Sequence, residues 1–209
     1  MKVFYRPTSV LSVNPNPLGK DQNYILKTCL DSFLKAGKAE ITFIADRLTE
    51  EQRDMFGKHG KIVDCEEGMI ASRNKAFELA CELDEEKVLF AEDDYLWVPD
   101  CLEKLELVLD ELPLISPYDH PGHYLEERFK NEPKKMILIN NHTFRSAPSN
   151  THTFACHASL IKENRDLFMK TWGDHETFVK LGVQMYVPVP SWATHLVTGL
   201  LAPNVNWPL

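Results

Sequence analysis

Three consecutive carboxylates, Glu92-Asp93-Asp94, follow directly on the apolar run Val88–Ala91. Side by side they repel one another at neutral pH, and they stay ionised cheaply only where solvent, helix termini or a cation neutralise them. In an extended chain residues 92 and 94 project to one side and residue 93 to the other. One carboxylate can then hold a hard cation while a neighbour accepts a hydrogen bond from a hydroxyl. Magnesium or manganese, bound by one or two carboxylates together with substrate phosphates, suits that chemistry. The plainer alternative is an acidic turn capping a helix that starts at Pro99, although Asp100 already occupies that first turn. Upstream, Arg73 offers five N–H donors in a rigid fork suited to phosphate or carboxylate, early in a helix opened by Gly68. Its alternative is a surface pair with Glu66 or Glu67.

The elements that must position these groups alternate. Lys2–Tyr5 is an apolar run closed by Pro7, hence a first strand, and Asp21–Ala36 carries Ile25, Leu26, Cys29, Leu30, Phe33 and Leu34 at helical spacing. Ile41–Ala45 is a second strand, followed by the capping-box pattern Thr49-Glu50-Glu51-Gln52. Lys61–Asp64 is a third strand. The helix after Gly68 shows Met69, Ala76, Leu79, Ala80 and Leu83 as its apolar stripe, and Val88–Ala91 is a fourth strand. Leu102, Leu105, Leu109 and Leu112 mark one face of the helix after Pro99. Strands alternating with helices imply right-handed βαβ crossovers and a mostly parallel, Rossmann-like sheet covered on both faces. Ligands of such sheets bind outside the carboxyl ends of the strands, where Pro7-Thr8, Asp46-Arg47 and the acidic cluster all fall.

The second half differs. Leu114–Ser116, Met136–Asn140 and Thr151–His157 look like strands, 162–171 and Asp174–Leu181 like helices, and Met185–Val189 like a last strand. Seven of the 8 histidines lie beyond residue 119, which concentrates polar recognition there. Without a linker or repeat, residues 1–209 read as one domain with halves 1–112 and 113–209.

The run VLFAEDDYLWVPDCLEKL resembles the metal-binding segment of GT-A fold glycosyltransferases, above all the family 2 type. In that family an apolar strand ends in a D-x-D-like motif, followed by apolar residues, Pro-Asp and a helix. Arg6-Pro7-Thr8 resembles its P-T/S loop, Asp46 falls where it places a carboxylate on the nucleotide base, and the segment Gly68 to Arg73-Asn74 resembles its base- and diphosphate-proximal Arg-Asn segment. Glu92 in the first motif position departs from the pattern. The resemblance implies a GT-A fold and transfer of a sugar from a nucleotide-diphosphate donor, a UDP-sugar, to a hydroxyl acceptor such as a glycan. It implies a donor site with Pro7, Thr8, Asp46, Arg73, Asn74 and Asp93. It also implies Mn2+ or Mg2+ at Asp94, with Glu92 and the late His195 as further ligands.

For an inverting transfer, in that family the base often opens a second-half helix after a Gly, so the resemblance makes Asp174 the first choice, Glu176 the second and His175 the third, in the segment from Trp172 to Phe178. Asp174 is equally suited to capping that helix, Asp46 to pairing with Arg47, Asn74 to a helix surface and His195 to packing against aromatics. Tyr118, Asp119, His120, His123 and Tyr124 suit an acceptor-side loop. A sugar-phosphate nucleotidyltransferase is the first rival, although the loop SVLSVNPNPLGK holds a single Gly; a non-catalytic nucleotide- or glycan-binding module is the second.

Composition narrows the classes. The formal charge of −8, without a Lys/Arg run, argues against nucleic-acid binding. No apolar stretch of membrane-spanning length occurs. Five cysteines, an odd number with no CxxC spacing, fit free thiols in a reducing cytoplasm.

Overall fold

The computed structural model describes residues 1–10, 14–65, 67–170 and 173–209. Its first half runs β1 (Lys2–Arg6), α1 (Gln22–Lys35), β2 (Glu40–Ala45), α2 (Glu50–Gly57), β3 (Lys61–Asp64), α3 (Met69–Cys81), β4 (Lys87–Glu92), β5 (Tyr95–Trp97) and α4 (Cys101–Val108). The second half holds β6 (Leu114–Ile115), α5 (Gly122–Leu125), a 3-10 turn at Glu127–Phe129, β7 (Met136–Ile139), β8 (His142–Ala147) and β9 (Phe154–His157). It continues with α6 (Ala158–Glu163), α7 (Arg165–Phe168), α8 (Asp174–Leu181), β10 (Met185–Pro188) and β11 (Ala193–His195).

Nine strands form one sheet in the order β3-β2-β1-β4-β9-β6-β10-β8-β7. β1, β2, β3 and β4 pair in parallel, as the βαβ pattern requires. Beyond β4 the sheet is mixed. β9 is antiparallel to both β4 and β6, β10 is parallel to β6, and the β7–β8 hairpin runs antiparallel at the far edge. The architecture is thus the expected α/β one, with a parallel first half and a mixed second half.

Strand alternation divides the core between the two faces. Val3, Tyr5, Phe43 and Leu89 pack with Leu26 and Phe33 of α1 and Leu102 and Leu105 of α4. Phe4, Ile44, Val88 and Phe90 pack with Ala76 and Phe77 of α3 and with Phe168 and Phe178. The Asp21 side chain accepts the Tyr24 N–H to start α1, and Thr49 with Gln52 completes the expected capping box of α2. All five cysteines are free thiols. Among the described residues no helix is long and apolar enough to cross a membrane.

Several expectations are corrected. Helix α4 begins at Cys101, not Pro99, and Asp100 sits in left-handed backbone (φ 60°) without capping it. The acidic cluster does not cap that helix either, because β5 intervenes. Met69 is 70% exposed rather than part of the α3 stripe. The expected helix over 162–171 is two short helices that meet at Asn164, whose side chain donates to the Leu160 carbonyl; Thr171 lies outside the described residues. β5, β8 and β11 are additional strands.

Candidate functional site

β1, β2 and β4 end side by side, and a cavity of about 200 Å³ opens at those ends. Arg6, Thr8, Asp46, Glu92, Asp93 and Asp94 line it, with Met69 and Ser72 from α3 and Leu196 and Val197 from the segment after β11. The strand ends explain the convergence. Arg6 is in register with Glu92 across the β1–β4 pair, and a parallel bridge joins Thr8 to Asp46.

The three acids have different settings. β4 stops at Glu92 and residues 93 and 94 form a turn, so extended-chain alternation does not govern where they point. Glu92 accepts from the buried Arg6 guanidinium at 2.9 Å and from the Thr153 hydroxyl at 3.1 Å, which engages both of its oxygens. Each oxygen thus has one internal partner, while Glu92 still lines the cavity. Asp93 is buried and accepts the Thr8 backbone N–H at 2.6 Å. Burial, then the neighbouring charge of Asp94, push its pKa well above the ordinary carboxylate range, against the Thr8 hydrogen bond.

Asp94 faces His195, with Nε2 and Oδ2 2.8 Å apart. The small β5–β11 sheet fixes this meeting: His195 lies in register with Tyr95, and the two rings stack at 4.9 Å and 6°. Leu196 N–H donates to the Asp94 carbonyl at 2.7 Å, locking the turn to the strand. Burial lowers the His195 pKa, but Asp94 outweighs it and the net shift is upward. The Nδ1 of His195 is buried without a partner.

A metal's fit can be judged from these donors. Two neighbouring ligands at roughly 2.1 Å from an octahedral cation stand about 3 Å apart, close to the Asp94–His195 separation. A carboxylate with an imidazole suits manganese better than magnesium. Among the described residues no group of three His, Cys, Asp or Glu side chains could hold a metal alone. A bound cation would therefore need phosphate oxygens or water to complete its shell.

Asp46 is saturated. Its carboxylate accepts from the Thr8 hydroxyl (3.0 Å), the Gly68 N–H (3.0 Å) and twice from Arg47 (2.9 and 3.2 Å), which uses all four of its acceptor positions. Burial raises its pKa, yet the Arg47, Gly68 and Thr8 hydrogen bonds prevail and lower it overall. Gly68 makes its contact at φ 108°, a conformation that other residues rarely adopt. The pairing of Asp46 with Arg47 is thus observed, together with two contacts that tie three loops to one carboxylate. Pro7 is buried and serves through its carbonyl, which accepts the Asp46 N–H at 3.1 Å.

Other expected residues lie elsewhere. Arg73 is buried, donating to Asn74 Oδ1 and to the Lys170 carbonyl at 2.7 Å, so it joins α3 to the end of α7 instead of lining the cavity. Asn74 faces that guanidinium and a separate surface hollow. Glu67 lies near Arg47 at 3.9 Å, and Glu66 is outside the described residues. Arg6, one residue before the Pro-Thr motif, is the cation at the cavity.

A second cavity of about 140 Å³ is lined by His120, His123, Arg128, Phe129, Ser149, Asn150, Thr151, Asp174 and His175. Asp174 opens α8 without capping it; its Oδ1 meets His152 Nδ1 at 2.7 Å. Burial works against its charge, but the His152 hydrogen bond and charge win and the pKa falls. Glu176 is exposed on α8 and lines neither cavity, so the structure separates it from the site. Trp172 lies outside the described residues. His175 Nδ1 is 2.7 Å from the Ser149 hydroxyl. Of the expected acceptor loop, Tyr118 and Asp119 are buried, and Asp119 pairs with the buried Arg145 and accepts from Tyr124 at 2.7 Å. The cavities are joined by one chain of contacts: Thr151 bonds the Tyr95 hydroxyl at 2.7 Å, Tyr95 stacks on His195, and His195 meets Asp94.

Sequence reasoning missed Arg6, His152 and Tyr95. A signal existed for Arg6, a lone basic residue closing an apolar strand; nothing local marks the other two.

The sheet and its flanking helices have the GT-A type of fold, and three solved structures show the likeness. S. aureus TarS 1–349 in complex with UDP has a TM-score of 0.57 at 16% identity, covering 89% of this chain and 56% of that one. The CMP:2-keto-3-deoxy-manno-octonic acid synthetase complexed with CTP has a TM-score of 0.52 at 11% identity, covering 88% and 87%. The bifunctional IspDF from Campylobacter jejuni has a TM-score of 0.52 at 14% identity, covering 89% and 48%. The chain thus spans about half the length of the TarS and IspDF chains. No protein-family model matches the chain, and no curated protein matches its sequence. At these identities the likeness is one of fold.

Proposed function

We propose that the chain is a glycosyltransferase that moves a sugar from a nucleotide-diphosphate donor, a UDP-sugar, to a hydroxyl acceptor. The observation that carries this reading is the Asp94–His195 pair, held 2.8 Å apart at the rim of the strand-end cavity. Asp94 and His195 would hold Mn2+, or Mg2+ in its place. When bound, the ion supplies Lewis-acid stabilisation to the departing diphosphate. Arg6 contributes positive charge within the protein, held in place by Glu92, and Asp93 and Thr8 form the wall on which the donor's ribose or sugar rests. Asp46 organises the base end of the donor site by fixing the Thr8 and Gly68 loops. Asp174, held by His152 in the second cavity, accepts the acceptor hydroxyl proton if the configuration inverts.

Incubation with UDP-sugars and Mn2+ tests this reading: slow UDP release without acceptor is expected, and loss of that release in His195→Ala. A second reading, a nucleotidyltransferase, is favoured by coverage, since the chain spans 87% of the synthetase complexed with CTP. It predicts pyrophosphate from CTP and a sugar acid or sugar phosphate. Against it, the first cavity sets one cation, Arg6, beside its three consecutive acids, a poor match for a triphosphate.

A further inference from the structure

The second cavity has the opposite chemistry to the first. Three imidazoles (His120, His123 and His175), the Arg128 guanidinium and the Ser149 hydroxyl face one carboxylate, Asp174, which is already paired with His152. In a chain of formal charge −8 this concentration of N–H and O–H donors stands apart.

The donors are aimed by their neighbours. Gly122 N–H donates to His120 Nδ1 at 2.8 Å, so the neutral ring carries its proton on Nε2 and presents it as a donor. A Cβ at residue 122 would collide with the Glu126 carboxylate and lie 2.8 Å from the His120 ring, so glycine lets both side chains keep these positions. Arg145, a pure donor, meets His123 Nδ1 at 3.0 Å, and the remaining N–H of that ring is taken by the Ser149 backbone, so His123 shapes the cavity wall and leaves ligand binding to its neighbours. Among the described residues Glu126 accepts from the Nε of Arg128 at 2.6 Å, and the guanidinium lies over Phe129, with Cζ 4.5 Å from the ring centroid. The terminal amino groups of Arg128 are the fork left for a ligand.

We propose that this cavity binds a phosphate group carried by the acceptor, with the Arg128 guanidinium and the Nε2–H of His120 as its principal donors. The acceptor role rests on the glycosyl-transfer reading above; the phosphate preference is testable apart from it. A phosphate seated here would leave a neighbouring hydroxyl of the same molecule beside Asp174.

The test titrates inorganic phosphate into the full chain, with and without saturating UDP and Mg2+, following histidine ring resonances by NMR. The resonances of His120 and His175 should shift saturably whether or not UDP is present. His157, whose Nε2 is engaged by the Leu109 carbonyl, should stay still. Arg128→Ala, at a largely exposed side chain, should weaken phosphate about tenfold, as loss of a charge-assisted bidentate contact does, with an unchanged thermal melt showing that the fold is kept. Glu126→Gln should tighten it by removing a negative charge beside the guanidinium. Displacement of phosphate by UDP would assign the anion to the donor and overturn the inference. So would an unsaturable response, unchanged affinity in Arg128→Ala, or weaker binding in Glu126→Gln. Phosphate binding without UDP binding would instead sink the donor assignment and leave this site standing.

Discussion

The two cavities settle their charge in opposite ways. After β4 three consecutive carboxylates crowd near one buried cation; beside α8, imidazoles and a guanidinium crowd around one carboxylate. In the first, Arg6 balances Glu92, Asp93 is pushed toward its neutral form, and Asp94 has only an imidazole opposite it. In the second, the anion is already paired and the excess lies in donors. Within one sheet the ends of the parallel strands thus gather acids, while the loops of the mixed half gather imidazoles and a guanidinium.

The comparison breaks most readily at its buried ion pairs. Arg145 and Asp119 are both almost fully buried, so Arg145→Met leaves a carboxylate without its cation and should cost about 3–5 kcal/mol. Urea denaturation measures this, and a loss below about 1 kcal/mol would show that the second cavity does not depend on that pair.

His123 sharpens the contrast through pH. Burial first, then the Arg145 charge, bring its pKa down to about 3, while the unfolded imidazole takes its proton near ~6.5. Between those values the unfolded state binds more protons, so stability falls as the pH is lowered through that window, by up to ~1.4 kcal/mol per pH unit. Thermal melts of His123→Gln should show a flatter acid limb than the parent protein; an unchanged slope would place the acid sensitivity elsewhere.

On the donor side, Asp46→Asn should cost about 1–2 kcal/mol, since the amide fills the same space but holds Thr8, Gly68 and Arg47 more weakly. The lowered pKa of Asp46 means that its contribution is present above about pH 4 and lost as the pH falls toward the folded value. The variant should lack that acid-dependent part. Arg47→Met, at the exposed partner, should change stability by no more than about 1 kcal/mol in the same melts.

The donor half was the more legible in sequence because its signals are local. The apolar runs, the Asp21 cap and the Thr49–Gln52 box specify each element within a few residues. Strands alternating with helices then leave little choice of topology, so Thr8, Asp46 and the acids could be placed at one edge. What escaped depends on distant pairing. β5 and β11 are three residues each and exist only because they pair with one another, and that pairing is what stacks Tyr95 on His195. Arg73 and Asn74 carried the right chemistry at the right spacing, but the helix face they occupy turns toward Lys170. His152, which the sequence pattern puts inside a strand over Thr151–His157, lies in irregular chain before β9 at Phe154, and no local pattern shows that it meets Asp174.

The account turns on Asp94. Calorimetric titration of UDP with and without Mn2+, on the parent protein and on Asp94→Asn, tests it directly. The expected result is manganese-dependent UDP binding in the parent that falls at least about tenfold in the variant, while any metal-independent binding is kept. Equal manganese-dependent affinity in the two proteins would contradict the account, because the turn after β4 would then hold no ion.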